Sequence, residues 1–235
     1  MLRSFGWQDL EPLFKGALWT IALCLTSGVI GTVVGLVLGL AATSPSRIAR
    51  WISRIYVNFV RGIPLLIIIF FAYFGIPLMF PSLEMSAFMT AVIALSVFAA
   101  AYMAEIFRGS INAVDKGQSE AAEALGLSYV LKYRYVIMPQ AMRIAVPPGI
   151  GFLIALIKDS SLVTVIGFIE LTRAGTIVSN LTADPITTYS VVAAFYFVIC
   201  YGVSRLGRKY EQRVGARTTT PLDADKPAAL QLEGV

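Results

Sequence analysis

A chain of 235 residues that is 57% hydrophobic and only 14% charged falls outside the range of soluble domains and reads as a membrane protein. Its net charge of +5 comes from bases in short connections between apolar runs, a pattern of topology signals rather than of a nucleic-acid surface. There is no His, which excludes imidazole metal sites, haem ligation and His-dependent triads, while Cys24 and Cys200 lie inside apolar runs and read as small buried hydrophobes.

The predicted fold is all-α, with five membrane spans near 16–42, 62–80, 86–104, 141–157 and 186–204. Residues 1–15 form an N-terminal segment, 16–213 the membrane domain, and 214–235 a tail whose Thr, Asp, Pro and Ala content predicts disorder. The first run has no charge from Gly16 to Ala42 and exceeds the length of a signal-peptide core, so it stays with the protein. Within it, Ser27, Gly31, Gly35 and Gly39 recur every four residues. They make one stripe of small residues that lets a second helix approach closely, in this subunit or across a dimer.

Arg47, Arg50, Arg54 and Arg61 cluster after the first span. Arg108, Lys116, Lys132, Arg134 and Arg143 cluster between the third and fourth, and Arg205, Arg208, Lys209 and Arg213 follow the fifth. The connection around Pro81–Met85 has no base. Five spans with this asymmetry predict an outer N-terminus, a cytoplasmic C-terminus and a cytoplasmic loop after the third span. Glu105 and Arg108, at i and i+3, close that third span and can pair on one helix face.

The long cytoplasmic loop is a polar island. Asp115 and Gln118 have capping-box spacing for a helix starting near Lys116. Ala121, Ala124 and Leu125 give it an apolar face, Glu120 and Glu123 point elsewhere, and Gly126 suits its C-terminus. A second helical stretch over Tyr129–Met138 is predicted to stop at Pro139. The hairpin is either a linker lying at the interface or a crown shaped for a groove on another protein.

The apolar stretch 144–169 is broken first by Pro147 and Pro148, then by Lys158, Asp159, Ser160 and Ser161. Those polar residues either cap a short fourth span or lie on a broken helix facing protein or a water-filled path, because bare charges in hydrocarbon cost several kcal/mol. The run Leu162–Ile169 is too short to span and predicts a segment that dips and returns. Lys158 and Asp159 offer one cation and one anion, the pair that a zwitterionic solute needs.

Glu120-Ala121-Ala122, three residues, Gly126, nine residues, then Val136-Ile137-Met138-Pro139 resembles the "EAA loop" of permease subunits of bacterial ABC importers. Arg61-Gly62-Ile63-Pro64-Leu65-Leu66, Ala101–Gly109 and Lys158–Leu162 are similar to the polar amino-acid branch of that family. The resemblance covers about residues 10–213. It implies a five-helix permease in the bacterial inner membrane that pairs with a second permease subunit, two ATPase subunits and an external solute-binding protein. It implies that Glu120, Ala121, Ala122, Gly126 and Pro139 serve ATPase coupling. It also puts the break at Lys158–Ser161 beside the solute path. Glu105 and Arg108 are expected nearer the cytoplasmic end of that path.

The chain has no Gly-x-x-x-x-Gly-Lys-[Ser/Thr] loop, so ATP is expected to be used by the partner and no cofactor or metal by this chain. No nucleophile–base pair points to an enzyme. The competing reading is an ATPase-independent secondary transporter or channel for a small polar solute. An odd number of spans and the absence of relay carboxylates in mid-span weigh against it.

Overall fold

The computed structural model describes residues 4–82 and 84–215, and every element among them is helical. In chain order these are α1 (Leu10–Thr43), α2 (Arg47–Arg61), α3 (Leu65–Met79), α4 (Ala87–Asn112), α5 (Lys116–Ala124), α6 (Tyr129–Lys132), α7 (Met138–Asp159), α8 (Leu171–Thr182) and α9 (Pro185–Gly215). The tail expected to be disordered lies outside the described residues from 216 on.

Helix α4 is the centre of the bundle. Of its most apolar window 61% is buried, against 11% for α9, which runs along the outside. Ser86 caps α4 by accepting from the Met89 amide at 3.2 Å. Buried alanines at 91, 94, 99, 100, 101 and 104 keep its surface low, so neighbours come close. The closest is α1. A Cβ on Gly35 would lie 2.6 Å from the Met103 Cβ and 3.0 Å from the Ala100 carbonyl oxygen. One on Gly39 would lie 2.7 Å from the Phe107 Cβ, and one on Gly31 would run into Ala99. The small-residue stripe thus faces α4 of the same chain. The opposite face of α1 turns Leu18, Leu25, Val29, Val33 and Val37 outward, a surface that lipid solvates and water does not.

The second span differs from the single helix expected at 62–80. Its apolar run forms α3, about 22 Å long at 1.5 Å per residue, which alone falls short of a bilayer core of roughly 30 Å. It joins α2 at a bend of 100°. Pro64 has no amide hydrogen and biases Ile63 away from helical backbone, so the helix stops at Gly62 and restarts at Leu65. The arginine cluster read as a loop is therefore a helix. Ser46 starts α2 by accepting from the Ala49 amide. Ser53 Oγ donates to the Leu38 carbonyl at 2.8 Å and the Tyr56 hydroxyl to the Val97 carbonyl at 2.9 Å, strapping α2 across α1 and α4. Its outer face carries Ile48, Trp51, Ile52, Ile55 and Phe59. Helical periodicity was present in the sequence, but the apolar stripe looks outward and the arginines mask it.

The prolines interrupt less than their sequence positions predict. Pro139 does not stop a helix. A π turn at Tyr133–Ile137 joins α6 to α7, and Pro139 sits just beyond it, where the wider turn accommodates a residue that has no N–H to give and whose ring would crowd an α turn. Pro147 and Pro148 do not break α7 either, which runs through both to Asp159. Both rings lie on the exposed face, where they crowd no neighbour, and membrane helices tolerate Pro better than soluble ones. Helix α4 also runs past the predicted end at 104, so Glu105 and Arg108 lie within it rather than closing it.

Candidate functional site

The polar break after α7 is a narrowing, not a gap. At Ser160 the helix tightens into a 3-10 segment over Ser160–Ile166, and Gly167, with φ of 79°, ends it in the left-handed conformation. The four polar residues then part company. Lys158 and Ser161 line an open groove of about 690 Å³ between α7 and α9, with Thr172, Tyr196, Cys200 and Ser204. Ser160 is buried and donates to the Ile157 carbonyl at 2.8 Å, so it caps its own turn. Asp159 is half-buried, and no ion pair joins it to Lys158 among the described residues.

Glu105 and Arg108 do pair. Arg108 Nε donates to Glu105 Oε2 at 3.0 Å and a second guanidinium nitrogen reaches Oε1. They line a separate polar recess of about 330 Å³ between α2 and α4, with Ser53, Arg54 and Asn58. Arg61, three residues beyond Asn58, points elsewhere: its guanidinium sits 5.1 Å from the Tyr102 ring centroid, and Tyr102 stacks on Phe152 of α7 at 5.3 Å. Within one chain, then, the Lys158 groove and the Glu105–Arg108 recess are distinct.

Glu170 escaped the sequence reading. It is fully buried, and it completes the N-terminus of α8. Its carboxylate accepts from the Thr172 amide at 2.8 Å, the Arg173 amide at 2.7 Å and the Tyr196 hydroxyl at 3.0 Å. Thr20 Oγ1 of α1 accepts from the Leu171 amide at 3.1 Å. Every free amide of the first turn of α8 is thereby satisfied, which a helix end away from water requires. Tyr196 and Thr172, joined at 2.9 Å, belong to both this network and the Lys158 groove. A lone acid three residues after a glycine in an apolar run was the available signal. Glu is an uncommon cap, so it passed unnoticed.

The helical hairpin stands apart from the spans. Asp115 caps α5 through the Gly117 amide at 2.7 Å, but the reciprocal arm of the capping box is not formed. Gln118 instead accepts from Gln140 Nε2 of α7 at 3.2 Å, because the α7 base is near enough to compete. At the other end Gly126 has φ of 74°, the Gly126 amide donates to the Glu123 carbonyl and the Leu127 amide to the Ala122 carbonyl. That is a Schellman stop, and it requires the left-handed residue. The buried residue of α5 is Ala122; Ala121, Ala124 and Leu125 of the expected apolar face are exposed, Leu125 by 81%, together with Glu120. Lys132 of α6 donates to Glu123 at 2.5 Å, which holds the Glu123 carboxyl below the usual carboxylate range.

A bundle of apolar helices with a largely apolar groove that carries Lys158, a small polar recess at Glu105 and Arg108, and a capped helical crown has the build of a membrane transport subunit. The family described as binding-protein-dependent transport system inner membrane component matches residues 31–216, and the chain belongs to it. It is 42% identical over 210 residues to the probable amino-acid ABC transporter permease protein YckA of Bacillus subtilis, covering 85% of this chain and 92% of YckA. It is 37% identical over 215 residues to the glutamine transport system permease protein GlnP of Escherichia coli K12, covering 90% and 98%. An amino acid ABC transporter crystallised with histidines superposes with a TM-score of 0.81 at 34% identity, over 88% of this chain and 95% of that one.

Proposed function

We propose that this chain is the membrane-spanning permease of an ATP-driven importer that carries a polar amino acid across the bacterial inner membrane. It works with two ATPase subunits, a second permease (a copy or a paralogue) and an external solute-binding protein. ATP is used by the partner chains. The observation that carries this reading is α5: a helix capped at both ends, with no spanning duty, whose Ala121, Ala124 and Leu125 face outward as a crown. Relatives named for amino-acid and glutamine transport support the cargo class.

In this reading Lys158 and Ser161 hold the solute carboxylate along the path, and Glu105 and Arg108 flank the path nearer the cytoplasm. Glu120, Ala121, Ala122 and Gly126 form the ATPase contact, while Pro139 fixes the start of the span behind it. The test is reconstitution with the ATPase and the binding protein, and uptake against a panel of labelled amino acids. Gly126→Asp should leave the chain inserted, since Asp tolerates left-handed backbone better than most residues and a Cβ there meets nothing within 4 Å. It should abolish ATPase copurification and uptake, because a charge then stands in the docking surface. Lys158→Met should assemble normally and lose a charge-assisted bond of about 1.5–3 kcal/mol, a roughly 10- to 150-fold weaker apparent solute affinity. Unchanged uptake at limiting solute in assembled Lys158→Met would remove Lys158 from the path.

The orientation is an outer N-terminus and a cytoplasmic C-terminus, from the basic clusters at Arg47–Arg61, Arg108–Arg143 and Arg205–Arg213. A cysteine in place of Lys116 should react with an impermeant maleimide only from the cytoplasmic side of oriented vesicles. Labelling from outside would invert the assignment.

A further inference from the structure

Helix α5 has almost no apolar core of its own. Ala122 is its one buried residue, so polar bonds carry much of its attachment to the rod formed by α6, the π turn and α7. One strap is Gln140 to Gln118. The other is Lys132. Its side chain is 11% exposed, an unusual place for an ammonium group. The Nζ donates to Ser119 Oγ at 2.9 Å and to Glu123 Oε1 at 2.5 Å, residues one turn apart on the same face of α5. It also lies 5.9 Å from the Tyr129 ring centroid, and Tyr129 packs on Tyr133 at 4.5 Å. The ammonium is a charged donor with two acceptors in set positions, so the lysine and its acceptors fix one another. Ser119 and Glu123 turn towards Lys132 of α6, although the Glu123 carboxylate stays open to water, whereas Glu120 and Leu125 face outward.

We propose that Lys132 is a positioning residue that locks α5 to the foot of α7, so that force applied to the crown moves the span instead of swinging the hairpin. The inference rests on the docking role of α5 proposed above. Lys132 does not touch the partner; it converts docking into movement.

The experiment uses the full reconstituted complex, and reads moles of the best-carried amino acid taken up per mole of ATP hydrolysed. Lys132→Met keeps the length of the side chain and removes both bonds. It should retain ATPase copurification and ATP hydrolysis, while uptake per ATP falls about fivefold or more, the lower end of ordinary coupling free energies between sites. Exchanging the charges, Lys132→Glu with Glu123→Lys, should restore most of the ratio, which a merely bulky or misfolded site would not do. Wild-type uptake per ATP in Lys132→Met overturns the lock. So does a Lys132→Met chain that loses assembly and is not recovered by the exchange. Gly126→Asp in the same assay separates the two ideas: if it binds the ATPase and transports normally, docking through α5 is wrong, whereas loss there with normal Lys132→Met removes the lock alone.

Discussion

Glu170→Ala is expected to cut the yield of folded permease and to lower its stability by roughly 2–5 kcal/mol, the sum of a lost helix cap and of buried amides left without acceptors. The carboxylate serves three donors in a place with no exposure, and none of them has a second acceptor of equal quality except Tyr196, which keeps Thr172. Glu170→Gln should fall between the two. One amide oxygen can serve one N–H, and the amide NH₂ then faces the other. Thermal unfolding in detergent, followed by size-exclusion recovery, measures the order wild type, Gln, Ala. If the alanine variant unfolds at the wild-type temperature, water fills the site and the cap has no structural weight.

Gly35→Ala should lower the apparent transition temperature by roughly 2–12 °C, from an overpacking cost of about 1–3 kcal/mol and about 2–4 °C per kcal/mol in a chain of this size. The added Cβ would sit 2.6 Å from another Cβ and 3.0 Å from two backbone atoms of α4, so a whole helix must move. Gly109→Ala is the matched control: a Cβ there meets nothing within 4 Å, and the better helix former should leave the transition where it is or raise it. Equal transitions for Gly35→Ala and Gly109→Ala would mean that the α1–α4 seam yields freely.

The spans were legible because hydrocarbon imposes a composition that no soluble fold needs, and α1 and α4 fall where the apolar runs predict. The glycine stripe was legible as a contact surface, although spacing alone left its partner open between a helix of the same chain and one of another. What stayed hidden was governed by tertiary context. The α2 arginines read as loop because charge outweighed periodicity. Pro139, Pro147 and Pro148 read as breaks because the rule applied to them comes from helices in water, where no neighbour compensates. The Lys158–Ser161 cluster was visible as a group, yet which members line a groove depends on side-chain direction. Ser160 turns inward to its own backbone while Lys158 turns out.

The π turn at Tyr133–Ile137 has a consequence for how the crown and the span are phased. A turn with i→i+5 bonds holds one residue more than an α turn, so the face presented after it slips by about one residue, near 100° around the axis. The axis from Tyr129 onward continues into α7, but its side chains are re-indexed at this point. Lys132 therefore looks towards α5, while Ala141 and Ala145, counted from beyond the turn, look into the bundle. One continuous rod carries two differently aimed faces. The extra residue acts as a rotary offset between the part that holds α5 and the part that packs against its neighbours.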